Sequence, residues 1–247
     1  MVMKILLTND DGIGAEGLFV LCNWAKRLGD ITVIAPAQEQ SGKSHGINIH
    51  SEIEIKKVEY PGAKDAYSVA STPADCVRFA LLGLGEKYDL VLSGINCGLN
   101  IGTDIVYSGT VGAIFEAAAE GVPAIAVSTQ PDYLCGVGRH LDDVYDFFVK
   151  NKLLSYSSLY NVNIPKDGKE ILFTRQGGRY YNDKFEKTGE ETYRQRGYSA
   201  HQDKKDFFID TDAALNGYIS VTPITLDRTD YDALEKLSGR RKRCKDK

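Results

Sequence analysis

Short apolar runs alternate along this chain with segments of helical period, and most of the runs stop at a glycine, a proline or an acidic pair. That alternation restricts the fold more than any other feature. The run at residues 5–7 stops at Asn9-Asp10-Asp11-Gly12, the run at 31–35 at Pro36, and the run at 90–93 at Gly94. Between the first two, Leu18, Leu21, Ala25 and Leu28 recur at helical spacing and Gly29 ends them. Strand, helix and strand within about 35 residues is the size of one βαβ unit. The pattern continues. Thr72-Pro73-Ala74-Asp75 has the chemistry of a helix start, with Thr72 as cap, Pro73 in the first turn and Asp75 reaching back. Helical faces follow at residues 77–84, 108–120 and 141–149, and a further strand is predicted at 124–128. Strands alternating with helices imply an α/β fold with a mostly parallel sheet covered on both faces.

After about residue 153 the character changes. Strands are predicted at 160–164, 171–174 and 217–221, and a short helix at 232–237. Residues 176–206 are polar, rich in charge, glycine and tyrosine, and show no clean period; they read as an extended hairpin or loop excursion serving as an inter-subunit arm. The whole is expected to be a single domain: a core of residues 1–175 plus 207–223, the arm, and a C-terminal helix with a basic tail at 224–247. A chain of 247 residues buries roughly three quarters of its unfolded surface and needs no covalent staple.

Charge narrows the partners. The net charge is −4, so no basic footprint for a nucleic-acid polymer covers the chain. The exception, Arg240-Arg241-Lys242-Arg243 with Lys245 and Lys247, reads as a solvated terminus. The 5 cysteines show no metal or redox spacing, which fits reduced, mostly buried thiols. The sequence begins directly with a strand, without the layout of a signal peptide, and no apolar run has the length of a membrane span; a cytoplasmic protein without a membrane partner is expected.

In open parallel sheets ligands bind beyond the carboxyl ends of the strands. Polar clusters fall there at 9–12, 38–44, 93–96 and 96–110. Adjacent carboxylates such as Asp10 and Asp11 disfavour each other's ionised form unless a cation neutralises them, although an aspartate before a glycine also serves as a plain cap and turn. Ser41 and Asn96 can add oxygen ligands, and an all-oxygen set suits Mg²⁺ or Mn²⁺ rather than zinc. Tyr107-Ser108-Gly109-Thr110-Val111-Gly112 opens a helix and leaves N–H groups approachable by an anion; simple capping by Ser108 and close packing at Gly112 explain the same residues. The Gly-Lys-Ser/Thr ending of a P-loop is absent. His45 lies on the same rim, either contacting phosphate or a leaving oxygen, or without a role. His50, His140 and His201 show no partner pattern, Asp75 reads as a capping residue, and Asp104 is open to a supporting place near the site.

Together these segments resemble the SurE family of phosphatases. The matching pieces are Thr8-Asn9-Asp10-Asp11-Gly12, Ala35-Pro36 with Ser41-Gly42, Thr72-Pro73-Ala74-Asp75-Cys76-Val77, and Ser93-Gly94-Ile95-Asn96 with Gly98 and Asn100. They continue with Tyr107-Ser108-Gly109-Thr110-Val111-Gly112-Ala113, Asn161-Val162-Asn163-Ile164-Pro165, Thr211-Asp212, and Gly217-Tyr218-Ile219-Ser220-Val221-Thr222-Pro223. The resemblance implies a three-layer α/β/α, Rossmann-like core with a C-terminal swapped hairpin, in homodimers or homotetramers. It implies a divalent metal ion on Asp10, Asp11, Ser41 and Asn96, and phosphate contacts from Asn9, Ser108, Gly109 and Thr110. The implied activity is metal-dependent hydrolysis of nucleoside 5′- and 3′-monophosphates, with short polyphosphate a substrate of some members.

The expected chemistry is direct attack by water, with Asp10 or Asp11 taking its proton and the 108–110 turn holding the phosphate oxygens. Two rivals stand beside it: Asp10 as a covalent nucleophile, and a nucleotide-binding sensor without turnover. The arm, lying after the core in sequence, is expected to matter more for assembly than for chemistry.

Overall fold

The computed structural model describes residues 2–166 and 168–239; the basic tail from Arg240 and Cys244 within it lie outside the described residues. The first unit is β1 (Met3–Thr8), α1 (Glu16–Ala25) and β2 (Gly29–Pro36), followed by β3 (Ile55–Val58) and β4 (Asp65–Val69). Next come α2 (Pro73–Arg78), β5 (Leu90–Cys97), α3 (Gly109–Ala119), β6 (Ala124–Thr129), α4 (Leu134–Val137), α5 (Leu141–Lys150) and β7 (Leu159–Ile164). The last third holds β8 (Ile171–Phe173), β9 (Tyr181–Lys187), β10 (Tyr193–Ser199), α6 (Asp210–Leu215), β11 (Ile219–Pro223) and α7 (Tyr231–Ser238).

One 9-stranded sheet runs in the order β3-β4-β2-β1-β5-β6-β7-β11-β8. From β4 to β7 every pairing is parallel, while β3 and β11 enter antiparallel. Successive side chains of a strand face opposite ways, and both faces are buried here. Ile5 and Leu7 of β1 join a core that includes Leu18, Leu21 and Ala25 of α1 and Val144 and Phe148 of α5. Leu6 joins the opposite core, with Val77 of α2 and Val111 and Ile114 of α3. The result is the three-layer α/β/α arrangement that the apolar runs and the family resemblance imply.

The strand order reverses at β1: β2 lies on one side of it and β5 on the other. The loops leaving β1 and β5 therefore diverge to opposite faces of the sheet and leave a crevice between them. One expectation is corrected. Gly94 does not end the strand, since β5 continues to Cys97 through a register shift between Ser93 and Asn96. Gly94 is needed there because its φ is +140° and a Cβ would lie 2.3 Å from the Val127 carbonyl oxygen. Of the four described thiols, Cys22 and Cys76 are buried as expected, whereas Cys97 and Cys135 are exposed. Residues 181–199 form a separate two-stranded antiparallel hairpin, β9 with β10, the extended hairpin expected of the arm.

Candidate active site

The crevice at the reversal point is a cleft of about 650 Å³. Its walls include Asp10 and Asp11 from the end of β1, Ser41 from the loop after β2, Asn96 from the end of β5, and Ser108 at the start of α3. Four separate loops thus bring five of the expected site residues to one place. Asn9, Gly109 and Thr110 are not on its surface; they stand behind it. Asn9 is buried and closes its own turn, donating through Nδ2 to Gly12 O at 2.9 Å and accepting the Gly12 N–H at 3.2 Å. Thr110 is fully buried and its hydroxyl donates to Asp10 Oδ1. Gly109 lets the helix start against Asp10, because a Cβ there would fall 2.8 Å from Asp10 Cβ.

The two carboxylates sit in unlike surroundings. Burial pushes the pKa of Asp10 up to about 6; the Thr110 hydroxyl opposes that, and the neighbouring Asp11 charge adds to it. Burial also raises that of Asp11, against the Cys97 N–H that donates to its Oδ2 at 3.2 Å, and nearby Glu39 adds repulsion. Among the described residues, no lysine, arginine or histidine forms an ion pair with either aspartate. Ser41 donates to Glu39 Oε1 at 2.6 Å. Asn96 spends its amide nitrogen on Gly98 O at 2.7 Å, which leaves its oxygen as the atom to offer. Ser108 caps α3 by accepting the Val111 N–H at 3.1 Å, and a Cβ on Gly112 would lie 2.2 Å from Ser44 O, so capping and close packing are both present.

The supporting residues explain several motif positions. Asn100 O accepts from Asn161 Nδ2 and Asn163 Nδ2, each at 2.8 Å, and Asn100 N donates to Asn163 Oδ1, so buried amides at the end of β7 hold the loop after β5. Asp104 accepts the Tyr181 and Tyr180 N–H groups at 2.7 and 3.2 Å and roots the hairpin beside the cleft. Asp75 accepts from Thr72 Oγ1 at 3.2 Å, Ser71 Oγ at 2.5 Å and Asn48 N at 2.9 Å; it holds the 46–51 loop onto α2 and takes no part in the cleft. His45 is turned away as well, its Nε2 lying 2.7 Å from Glu116 Oε2. His140 bonds Tyr133, His201 pairs with Asp212 at 2.9 Å, and His50 is exposed. His201, Asp203 and Asp212 also lie close enough together to share a cation. Asp212 Oδ2 already accepts from the N–H groups of Lys204 and Asp206, which makes this cluster a loop fastening.

Tyr107, the first residue of the 107–112 motif, lines the cleft, as do Glu39, Tyr181, Asp183 and Gln195, which the sequence did not single out. Glu39 was within reach, two residues before Ser41 on the same loop. The hairpin residues needed its register, because neither strand is apolar enough to show a period against a core.

An acidic cleft at the reversal point of a parallel sheet, with a capped helix starting beside it, defines a class of α/β proteins that bind ligands at strand ends. Residues 5–183 match the sequence profile of the family described as survival protein SurE. The chain is 40% identical to a protein named 5′-nucleotidase SurE from Caldanaerobacter subterraneus subsp. tengcongensis, with 96% of each chain covered. It is 38% identical to the 5′-nucleotidase SurE of Thermosipho africanus, covering 96% of this chain and 97% of the relative. The crystal structure of SurE protein from Aquifex aeolicus superposes with a TM-score of 0.76 at 33% identity, over 95% of this chain and 99% of that one. This chain belongs to the SurE family.

Proposed function

We propose that the protein is a divalent-metal-dependent 5′-nucleotidase, a phosphoric monoester hydrolase that releases phosphate from nucleoside monophosphates at the cleft around Asp10 and Asp11. The observation that carries this is the adjacent carboxylate pair, Asp10 buried and Asp11 half-buried, without a cationic partner among the described residues and set beside the start of α3. The relatives named 5′-nucleotidase SurE, alike over nearly their full length, support the reaction class. The reading extends to 3′-monophosphates and short polyphosphate, and to a cytoplasmic protein; no described helix is long and apolar enough to cross a membrane.

The donor set fits a hard cation: Asp10, Asp11, Ser41 and Asn96 offer only oxygens, from three loops facing one cleft. When bound there, Mg²⁺ or Mn²⁺ supplies Lewis-acid polarisation of phosphate and a more acidic water. The chain's own residues do the rest. Thr110 fixes the Asp10 carboxylate from behind, and the Cys97 N–H fixes Asp11. Ser108 on the cleft wall faces the phosphate oxygens, with the positive end of α3 behind it favouring an anion. Asn9 and Gly109 act at one remove, the first by closing the 9–12 turn and the second by admitting the helix. One of the two aspartates accepts the proton of the attacking water. Asp10 as a covalent nucleophile ranks lower, because it is buried and already bonded to Thr110.

Assembly follows the family pattern in this proposal, a homodimer or homotetramer in which the hairpin reaches a second subunit. Phe185 and Tyr193 support it: they are 71% and 58% exposed on the hairpin, an unusual place for aromatic rings in a lone chain. The test of the activity is phosphate release from a panel of nucleoside monophosphates, with and without Mg²⁺ or Mn²⁺. Metal-dependent release is expected. Tight nucleotide binding without release under any metal would replace the enzyme with a sensor.

A further inference from the structure

The hairpin does more than project from the core. Alternate residues of an antiparallel ribbon share a face, and the register pairs Asp183 with Gly197 and Phe185 with Gln195. Tyr181, Asp183, Gln195 and Gly197 therefore stand on one face, and all four line the cleft that holds Asp10 and Asp11. The opposite face carries Lys184, Glu186 and Arg196, paired with one another at 2.9 and 2.7 Å. The ribbon thus turns its charge pairs outward and a ring, a carboxylate and an amide inward. Gly197 keeps that inner row open: a Cβ there would lie 3.0 Å from Asp183 Oδ1 and 3.6 Å from Tyr181 Cδ1. Tyr107, next to Ser108 in sequence, brings a second half-exposed ring to the same cleft.

This row is held in place. Besides the bonds from Tyr180 and Tyr181 to Asp104, Thr103 N donates to Gly178 O at 3.1 Å. Buried Asp210 accepts the Gly102 N–H at 3.0 Å and the Gly177 N–H at 2.8 Å, tying both ends of the connection together. The inner row is therefore fixed relative to the loop that leads into Ser108. It carries no cation, so it is not built for the phosphate. Its chemistry suits a flat, polar-edged group attached to that phosphate.

We propose that the inner face of the hairpin is the nucleoside subsite: Tyr181 gives the base a ring to stack on, with Tyr107 across the cleft, while Asp183 and Gln195 make the polar contacts that distinguish a nucleoside from other leaving groups. This rests on the nucleotidase reading and assigns the part of that site which selects the substrate. Should the hairpin be exchanged in a dimer, the same row would enter the partner's cleft, and single substitutions would read the same way.

The experiment compares adenosine 5′-monophosphate with ribose 5-phosphate, which keeps the phosphate and sugar but lacks the base. Tyr181→Ala is expected to raise KM for the nucleotide about tenfold, with kcat little changed and ribose 5-phosphate hydrolysis unaltered. Gly197→Val, which fills the notch, should act the same way. Retained ribose 5-phosphate turnover also shows that each variant is folded. Equal losses on both substrates, or no change on either, would overturn the subsite. Calorimetric titration with adenosine, which has no phosphate, separates the two layers of inference. If wild type releases no phosphate from any nucleotide but binds adenosine, and Tyr181→Ala loses that binding, the nucleotidase reading falls and the subsite stands.

Discussion

Thr110 shows what a single residue contributes here. Its hydroxyl reaches a carboxylate that is almost fully buried and lies beside a second one, so the bond holds Asp10 in the one orientation that faces the cleft. Thr110→Val keeps the shape and removes the donor. Such a loss to a charged partner is worth roughly 1–3 kcal/mol, and kcat/KM at saturating metal should fall about tenfold to a hundredfold. Asp10→Asn or Asp11→Asn should go further, nearly abolishing phosphate release and weakening Mn²⁺ binding by calorimetry, while circular dichroism shows an unchanged fold. Wild-type turnover in either variant at limiting metal would remove the pair from the site. At this scale the sequence marked the strand ends. Of the four residues it offered as phosphate contacts, Ser108 lies on the cleft wall, Asn9 bonds Gly12, Thr110 bonds Asp10, and Gly109 packs on Asp10. Adjacency along a loop says which rim a side chain belongs to; which way it points depends on turn and cap geometry that a neighbouring strand decides.

Between elements, Glu116 is the main polar tie. It is a buried acid on α3, and it joins Arg78 of α2 at 2.7 Å to His45 of the loop that also carries Ser41. Burial works against its ionisation, yet the hydrogen bonds from His45 and Arg78 outweigh that and leave its pKa below the ordinary 4.5. A lowered folded pKa stabilises the protein above the unfolded value, and that stability is lost as pH falls through the folded one. Glu116→Gln should therefore cost roughly 1–3 kcal/mol near neutral pH, and the gap to wild type in urea midpoints should close as pH drops below about 4.5. A gap that stayed constant down to acid would mean that the ion pairs add nothing. Elements of this kind differ in how far they could be foreseen. The strands β1, β2, β6 and β7 are buried on both faces over most of their length, and their apolar runs announce them. The outer strand β3 carries exposed Lys56 and Lys57, and β4 beside it carries half-buried Tyr67 and Ser68; neither shows an apolar run, so both went unnoticed. The continuation of β5 past Gly94 was hidden for a different reason: a glycine there ends a run on paper, while in the sheet it answers a close approach by β6.

For the molecule as a whole, the hairpin belongs to two surfaces at once. Sequence order placed it after the core and suggested a role in assembly apart from the chemistry; the fold brings Tyr181, Asp183, Gln195 and Gly197 back to the cleft. The same face continues outward to Phe185 and Tyr193, which line nothing in their own chain's cleft. Aromatic residues in such positions are favoured at protein interfaces, and exchanging an identical element between protomers is a low-cost route to a symmetric dimer. Deleting residues 180–197 and closing the gap with a short Gly-Ser turn separates the two roles. The deletion removes the exposed aromatic row, so molar mass by light scattering should drop toward the monomer. It leaves Asp10, Asp11, Ser41, Asn96 and Ser108 in place, so phosphate release from ribose 5-phosphate should persist and exceed that of Asp10→Asn. Phe185→Ser with Tyr193→Ser, which touches only the outer part of the row, should weaken assembly while sparing the KM for a nucleoside monophosphate. A deletion that kept the full oligomer, or a wild type already monomeric, would confine the hairpin to the cleft of its own chain.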